Sequence, residues 1–286
     1  DKAEESYTQA IALKPDFAEA HCNLGTVVKK LGKLKEAEAS YRLAIKYKPE
    51  LVEAHFNLGI LLEGLGRLKE SATSYGQATL YKPDYVAAYN NLGIVMKKIR
   101  FESSEPGLYP VLINLLKFGE NVRPKDVAAS ISTLLMHDPV IKGLLAEKNI
   151  DGNLKKITSS VEALNQLELL HHLMRICPLP ALELEGLFVK MRRHLLANLD
   201  KIADSPDSIY FLSTLCLHCF TNEYVYYESK EETNLVSELE EMIAESIMQS
   251  KQPEVLKILC LASYRQLHKY DWCQDLEVLN HLDDIK

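Results

Sequence analysis

The chain of 286 residues has few of the features that mark a membrane or secreted protein. It contains a single tryptophan and no apolar run near the roughly 20 residues that a membrane span requires. Even a long apolar stretch such as residues 209–220 is interrupted by Ser, Thr and His. No secretory signal is visible, and the first residue is Asp1 rather than methionine. We therefore expect no membrane partner and interpret the sequence as part of a longer protein.

The sequence also lacks a strong positive charge and a disulfide framework. Its formal net charge is -7, with 15 Lys/Arg against 12 Asp/Glu in residues 1–100 and the acidic excess in the remainder. This balance does not fit a nucleic-acid binder, which usually has a basic face. The cysteines stand mostly in apolar stretches, as buried free thiols do, and predict a reducing, cytoplasmic compartment. They are Cys22, Cys177, Cys216, Cys219, Cys260 and Cys273.

What the sequence does contain is a period of 34 residues in its first hundred positions. Three features recur at this spacing, namely a proline, a tyrosine and an Asn-Leu-Gly triplet. They stand at Pro15, Pro49 and Pro83, at Tyr7, Tyr41 and Tyr75, and at Asn23–Gly25, Asn57–Gly59 and Asn91–Gly93. A 34-residue period with two helices per unit is typical of tetratricopeptide repeats, which stack into a solenoid with a binding groove.

The period predicts a half unit, two full units and another half unit over residues 1–104. Gly32 and Gly66 stand where the chain must leave a helix, but the equivalent third position is Arg100. Two prolines and a glycine follow in residues 101–110, so we place a domain boundary between 104 and 105. Residues 105–286 keep a helical pattern without the period. The predicted fold is all-α, a helical solenoid followed by a compact irregular helical domain.

Several helices are predicted in the second domain, and Ser205 is expected to cap the one that begins at Pro206. The best strand-like alternation is at residues 224–227, and it is short. The predicted helices span residues 108–118, 124–136, 139–147, 160–176, 181–202, 206–221, 231–250, 253–267 and 272–285.

The repeated asparagines predict a peptide-binding row along one wall of the solenoid. A carboxamide has both donors and acceptors, so Asn23, Asn57 and Asn91 can grip the backbone of an extended peptide. The alternative is that asparagine at this position only solvates the repeat. The neighbours that differ between units would set specificity; they are Glu19, Cys22, Thr26, Lys29, Phe56, Ile60, Glu63, Asn90, Ile94 and Lys97.

The repeat segments themselves show a family resemblance. The stretches Ala-Glu-Ala-His-Cys-Asn-Leu-Gly at 18–25 and Glu-Ala-His-Phe-Asn-Leu-Gly at 53–59 resemble repeats of the O-linked N-acetylglucosamine transferase type. In that family an asparagine ladder on the inner wall binds substrate peptides. The resemblance implies this binding mode for Asn23, Asn57 and Asn91, over about residues 1–100. That family's glycosyltransferase domain has no visible counterpart here.

The second domain resembles a different group of proteins. Stretches such as Leu-Leu-His-His-Leu-Met-Arg-Ile-Cys-Pro-Leu-Pro at 169–180 and Ile-Leu-Cys-Leu-Ala-Ser-Tyr at 258–264 are similar to the helical region of bacterial repeat proteins that carry a methyltransferase domain. The resemblance implies that an enzyme domain follows this chain. A dinucleotide-type Gly-rich turn after a strand is missing, because Gly64-Leu-Gly66 falls between two repeat helices. We therefore expect neither enzymatic activity nor a cofactor in this chain.

Two clusters in the second domain invite a functional interpretation. Polar and aromatic residues concentrated after apolar helices can line a ligand pocket, or they can tie helix ends together through satisfied hydrogen bonds. They are Asn222, Glu223, Tyr224 and Tyr226, and Arg265, His268, Tyr270, Asp271 and Trp272. Cys216 and Cys219 form a Cys-x-x-Cys pair, but a zinc site commonly needs a second pair, which the sequence lacks, so we expect core thiols and no metal.

Three functional hypotheses remain open from the sequence. The first is a non-catalytic scaffold whose repeats bind a partner protein or peptide. The second is that the helical domain is itself a small-molecule-binding or catalytic unit, or that the repeats belong to a glycosyltransferase. The third is a homo-oligomer formed through the exposed end of the solenoid at Asp1.

Overall fold

The computed structural model describes residues 2–146, 154–202, 205–224 and 226–276. All regular structure in these ranges is helical, which confirms the predicted all-α class. None of the described helices has the length and apolar character needed to cross a membrane. The chain divides into two compact units, Asp1–Leu134 and Leu135–Lys286.

Six helices build the periodic part of the first unit. Helices α2 and α3 form one full repeat and α4 and α5 the next, while α1 and α6 flank them. Gly32 and Gly66 end the first helix of each full repeat with φ of 79° and 74°, a left-handed conformation that glycine adopts without steric cost. The helices are α1 (Lys2–Leu13), α2 (Ala18–Lys30), α3 (Leu34–Tyr47), α4 (Val52–Gly64), α5 (Leu68–Tyr81) and α6 (Val86–Met96).

The periodic glycines inside the helices allow a close approach of aromatic rings. Tyr41 lies against Gly25, and Tyr75 lies against Gly59. A Cβ atom added to Gly59 would stand 2.6 Å from the Cδ1 atom of Tyr75, much closer than van der Waals contact allows. Both tyrosines are at most 1% exposed. The repeated Gly and Tyr therefore pack against each other in each full repeat.

A repeated histidine joins consecutive repeats, a role that the sequence analysis missed. The Nε2 atom of His21 lies 2.9 Å from the carbonyl oxygen of Pro15, and that of His55 lies 2.6 Å from Pro49. Because a carbonyl only accepts, each Nε2 is the donor. Each ring also stacks on the tyrosine that ends the following helix, Tyr47 or Tyr81 in turn. The 34-residue spacing of the two histidines was the available signal.

The first compact unit extends 30 residues past the predicted boundary between 104 and 105. After a 3-10 turn at Pro106–Leu108, helix α7 (Tyr109–Phe118) packs on α5 and α6. Helix α8 (Pro124–Leu135) contacts the end of α6, where the Ser130 hydroxyl donates to the Met96 carbonyl. Val111 lies against Gly76 and Val122 against Gly93. Since these contacts cover α5 and α6, the compact unit includes residues that the sequence assigned to the second domain. The boundary at 104/105 stays a prediction of where the repeat pattern stops.

The second unit is built around helix α13. It packs against α10, α11 and α15, and α12 and α14 complete the core. The predicted cap at Ser205 is confirmed, since its Oγ accepts a hydrogen bond from the Ser208 backbone N–H at 3.2 Å. The helices are α9 (Pro139–Ala146), α10 (Leu154–Asn165), α11 (Glu168–Ile176), α12 (Leu182–Ala197), α13 (Pro206–Thr221), α14 (Lys230–Met248) and α15 (Val255–Ala262).

Some predicted elements of this unit were wrong. The single helix predicted at 160–176 is two, α10 and α11, because the apolar periodicity continues across the break between them. The helix predicted at 253–267 ends at Ala262. The strand-like stretch 224–227 begins at Tyr224 with φ of 58°, outside the extended range, and Val225 lies outside the described residues. Of the helix predicted at 272–285, Asp271–Asp275 is a 3-10 turn and 277–285 lies outside the described residues.

Buried His171 makes the stability of the second unit sensitive to acid. Its ring is 1% exposed, and its Nδ1 atom donates to the Thr214 hydroxyl at 2.9 Å. That hydroxyl gives its own proton to the Tyr210 carbonyl. Burial, and next the charge of Arg175, lower the pKa of His171 from 6.5 to about 4.

We expect this histidine to destabilise the protein as the pH falls. The unfolded chain binds the proton near pH 6.5 and the folded chain only near pH 4, so stability is complete above 6.5 and falls between 6.5 and 4. The loss is about 3 kcal/mol. Chemical denaturation between pH 4 and 7 should show a shallower decline for His171→Gln than for the parent. The exposed His268→Gln should keep the parent slope, and an equal slope in both variants would contradict the role of His171.

Candidate functional site

The three periodic asparagines lie on α2, α4 and α6, the first helices of successive repeats. Asn23 is exposed, whereas Asn57 and Asn91 are half-buried. The Asn57 amide has one weak contact, to the Cys22 sulfur at 4.0 Å. Within the part of the chain that the structure describes, the Asn23 carboxamide has no hydrogen-bond partner. The Asn91 carboxamide interacts with the Tyr75 hydroxyl. Among the described residues, hydrogen-bonding groups are therefore free at Asn23 and in part at Asn57 and Asn91.

Apolar side chains stand beside the asparagines in the second and third repeats. Phe56 packs its ring on Tyr85 at 4.9 Å and on Tyr75 at 5.7 Å between ring centroids. Ile60 follows one helical turn later and is half-buried, and Ile94 is 47% exposed. Residues four apart share a helix face, so Phe56 and Ile60 form one apolar strip. The buried Tyr75 and the half-buried Tyr85 support the Phe56 ring. The sequence analysis assigned this role to neither, although the tyrosine period was a signal for Tyr75.

Most charged residues of the predicted groove are already paired. Glu19 accepts from Lys48 at 2.7 Å, and Lys97 pairs with Asp126 at 3.0 Å. Glu63 accepts from the Tyr75 hydroxyl at 3.1 Å and lies 3.6 Å from Lys98. Burial raises the pKa of Tyr75, and the Glu63 charge adds to this shift. These charged side chains therefore have partners within the repeats and α8.

Four further predicted residues have different environments. Lys29 is half-buried, has no carboxylate partner among the described residues, and burial lowers its pKa. Cys22 is 5% exposed, and burial raises the pKa of its thiol to about 11. Thr26 Oγ1 lies 3.2 Å from the Tyr41 hydroxyl, and Asn90 is half-buried. Among the predicted residues, Lys29 is thus a cation that can still donate to a carboxylate, while Cys22 belongs to the buried core of the repeats.

Comparison with known families identifies this part of the chain. A family model described as TPR repeat matches residues 1–32 and 29–66, and one described as tetratricopeptide repeat matches 52–85. Residues 1–85 are tetratricopeptide repeats. No curated protein matches the sequence. A solved structure titled "Crystal structure of YrrB: a TPR protein with an unusual peptide-binding site" is 16% identical, with a TM-score of 0.33, over 77% of this chain and 94% of that one.

In the second unit, the residues of the two predicted clusters form two groups of contacts. Asn222 and Tyr226 join Glu185 and His218, which the sequence analysis did not single out. His218 Nε2 lies 3.1 Å from Glu185 Oε1, and Asn222 Nδ2 donates to the same oxygen at 3.2 Å. The Tyr226 hydroxyl donates to Glu185 Oε2. This group links helix ends through satisfied hydrogen bonds, the second of the two interpretations that the sequence left open.

The other group surrounds a shallow cavity of about 180 Å³. Arg265 pairs with Glu228 and with Glu240, and the Tyr270 hydroxyl donates to Glu240 at 2.6 Å. Burial raises the pKa of Tyr270. The cavity is lined by Tyr224, Tyr264, Arg265, Gln266, Lys269 and Tyr270.

The remaining predicted residues of this group are peripheral to the cavity. Trp272 stacks on Tyr270 at 4.8 Å between ring centroids, and His268 and Asp271 are exposed. Glu223 is exposed with φ of 54°, at the end of α13. Three of the nine predicted residues therefore line the cavity, Tyr224, Arg265 and Tyr270.

A buried arginine is the largest feature of the second unit that sequence reasoning missed. Arg192 is 2% exposed, and its guanidinium lies 4.0 Å from the ring centroid of Tyr264 and 5.2 Å from that of Tyr226. Its Nη1 donates to the Ser263 carbonyl at 3.2 Å. In the described part of the chain, Nε and Nη2 have no hydrogen-bond partner. Arg192 and Arg193 are adjacent and identical in type, so the apolar periodicity did not predict which of them is buried.

The Cys-x-x-Cys pair belongs to the core of the second unit. Cys216, Cys219 and Cys260 are all buried free thiols. Burial raises the pKa of Cys219 and of Cys260 to about 12, so both stay protonated at neutral pH. Across residues 2–146, 154–202, 205–224 and 226–276, no three His, Cys, Asp or Glu side chains are grouped so that they could hold a metal ion.

Proposed function

We propose that the tetratricopeptide repeats bind an extended segment of a partner protein along the row Asn23, Asn57 and Asn91. The proposal is supported by the equivalent positions of the three asparagines on α2, α4 and α6, by the exposed Asn23 and by the weak contact of the Asn57 amide with Cys22. Each can donate to a backbone carbonyl and accept from a backbone N–H, so the row recognises main chain rather than a particular side chain. The groove then functions as a scaffold without catalysis of its own.

Specificity would come from the side chains beside the row. The strip of Phe56 and Ile60 and the exposed Ile94 favour an apolar side chain in the segment, because covering them removes apolar surface from water. Lys29 favours a carboxylate near the first repeat. Two full repeats and two half units suit a short peptide.

The wider setting of this scaffold rests on the resemblances. We infer that the repeats are of the O-linked N-acetylglucosamine transferase type in their binding mode, and that the second unit connects them to a methyltransferase domain. A reducing, cytoplasmic location agrees with the buried free cysteines.

A second candidate function concerns the cavity of about 180 Å³ in the second unit. Three tyrosines and the cations Arg265 and Lys269 would suit a small planar anion. Arg265 is already paired with Glu228 and Glu240, which weakens this alternative. Saturable binding of such a ligand that is lost in Lys269→Ala would favour it over the scaffold.

Triple substitution of the asparagines tests the scaffold. A library of random 12-residue peptides is selected on the parent protein, and the affinity of the selected peptides is then measured for Asn23→Ala/Asn57→Ala/Asn91→Ala. Each lost hydrogen bond costs about 1 kcal/mol, so we expect binding to weaken about 100-fold. Gln9→Ala, which removes an exposed carboxamide from α1, should bind as the parent does. Equal affinity of the triple variant would disprove the row.

A further inference from the structure

The second unit has an apolar groove along α14 that no resemblance accounts for. Leu235, Leu239 and Met242 stand at i, i+4 and i+7 of this helix, so they form a strip about 10 Å long. Leu196 and Leu199, at the end of α12 and in the turn after it, form the opposite wall. The groove encloses about 80 Å³, and Met242 is 44% exposed in it. Leu196 and Leu239 at its floor also belong to the buried core of the second unit.

The rim of this groove is acidic. Helix α14 contains six glutamates and one lysine. Glu232 interacts with Arg193 and Tyr264. Glu240 interacts with Arg265 and Tyr270. Three others, Glu238, Glu241 and Glu245, are exposed and have no cationic partner among the described residues.

The lining cation does not offset this charge. Lys257 lies 3.5 Å from Asp200 and 3.4 Å from Glu254, so it is shared between two acids already. The groove is therefore apolar at its floor and unbalanced in charge at its rim. An occupant with complementary chemistry must bring both apolar and basic side chains.

Charge also argues against the two occupants nearest at hand. A second copy of this chain meeting the same face would bring acidic α14 against acidic α14, and like charges across an interface are costly. Residues 277–286 of the chain itself contain three acidic side chains and one lysine. Both would add repulsion at the rim.

We propose that this groove docks a basic amphipathic helix of a partner protein. Such a helix would place apolar side chains at i, i+3 or i+4, and i+7 against the strip of α14, as helices do in hydrophobic grooves. Lysine or arginine on its flanks would pair with Glu238, Glu241 and Asp200. The site is separate from the asparagine row, so the second unit would hold a different partner segment from the repeats.

A designed helix of leucine and lysine tests this proposal. A labelled 15-residue peptide with leucine at the i, i+3, i+4 and i+7 positions and lysine elsewhere is titrated with the whole chain at low and high salt. We expect saturable binding that weakens at least tenfold for Glu238→Lys/Glu241→Lys and similarly for Met242→Ser, and that weakens in high salt. Met242 is substantially exposed, so its substitution leaves the core intact; circular dichroism and denaturation check this.

Matched controls separate docking from general attraction to an acidic protein. Glu162→Lys/Glu183→Lys makes the same change of charge at exposed positions of α10 and α12, and should bind the peptide as the parent does. A serine/lysine peptide of equal charge should bind at least tenfold more weakly than the leucine/lysine peptide. Equal loss in both charge-reversal variants, equal binding of the two peptides, or no binding at all would each overturn the proposal.

Discussion

Gly59→Ala is expected to destabilise the tetratricopeptide repeats by about 2 kcal/mol. The new methyl group would stand 2.6 Å from Cδ1 and 3.1 Å from Cγ of Tyr75, so the ring itself must move rather than the tip of a flexible chain. Tyr75 has little room to do so. It is fully buried, its ring lies against Phe56, and its hydroxyl donates to Glu63. The clash outweighs the helix propensity that alanine adds, about 1 kcal/mol.

Gly64→Ala is the matched control for this substitution, because it changes the same residue type at the end of the same helix. A Cβ at Gly64 meets nothing within 4 Å, and its φ is not in the left-handed range. We expect it to be neutral or to stabilise slightly. Urea denaturation of the parent and both variants compares them directly. If Gly59→Ala were as stable as Gly64→Ala, the close Gly–Tyr contact would not specify the repeat.

Two substitutions of Arg192 are expected to change the free energy of unfolding differently. Arg192→Ala should lower the free energy of unfolding by about 3 kcal/mol, because it leaves a cavity beneath the rings of Tyr226 and Tyr264. Arg192→Met fills most of that volume and removes a buried charge. Among the described residues, two nitrogens of this guanidinium, Nε and Nη2, have no hydrogen-bond partner. Since burying an uncompensated cation is costly, we expect its stability to lie within about 1 kcal/mol of the parent or above it.

Thermal and urea denaturation of the second unit distinguish the loss of packed volume from the cost of burying the guanidinium charge. Arg193→Met is the control, because Arg193 is half-exposed and pairs with Glu232 at 3.0 Å. If Arg192→Met destabilised as strongly as Arg192→Ala, the contacts of the guanidinium with the two tyrosine rings would be the stabilising interaction, and the desolvation argument would be wrong.

The sequence by itself predicted the repeat, its helices and its helix-ending glycines. Gly32, Gly66 and the prolines act locally, through backbone conformation and lost donors, and the 34-residue period repeats those local rules until Arg100. The asparagine row also follows from the period, because equal positions of stacked repeats must line up. What the row binds is a proposal that the period suggests but does not test.

Only the tertiary structure decided how distant residues meet. It showed that α7 packs on α5 and α6, that Tyr224 lines the same cavity as Arg265, and that Arg192 is buried beneath two tyrosines. These outcomes depend on contacts between residues far apart in a region without a period, where apolar spacing gives the helices but not their neighbours. Local conformation is written into nearby residues, whereas burial and pairing depend on which helices pack together.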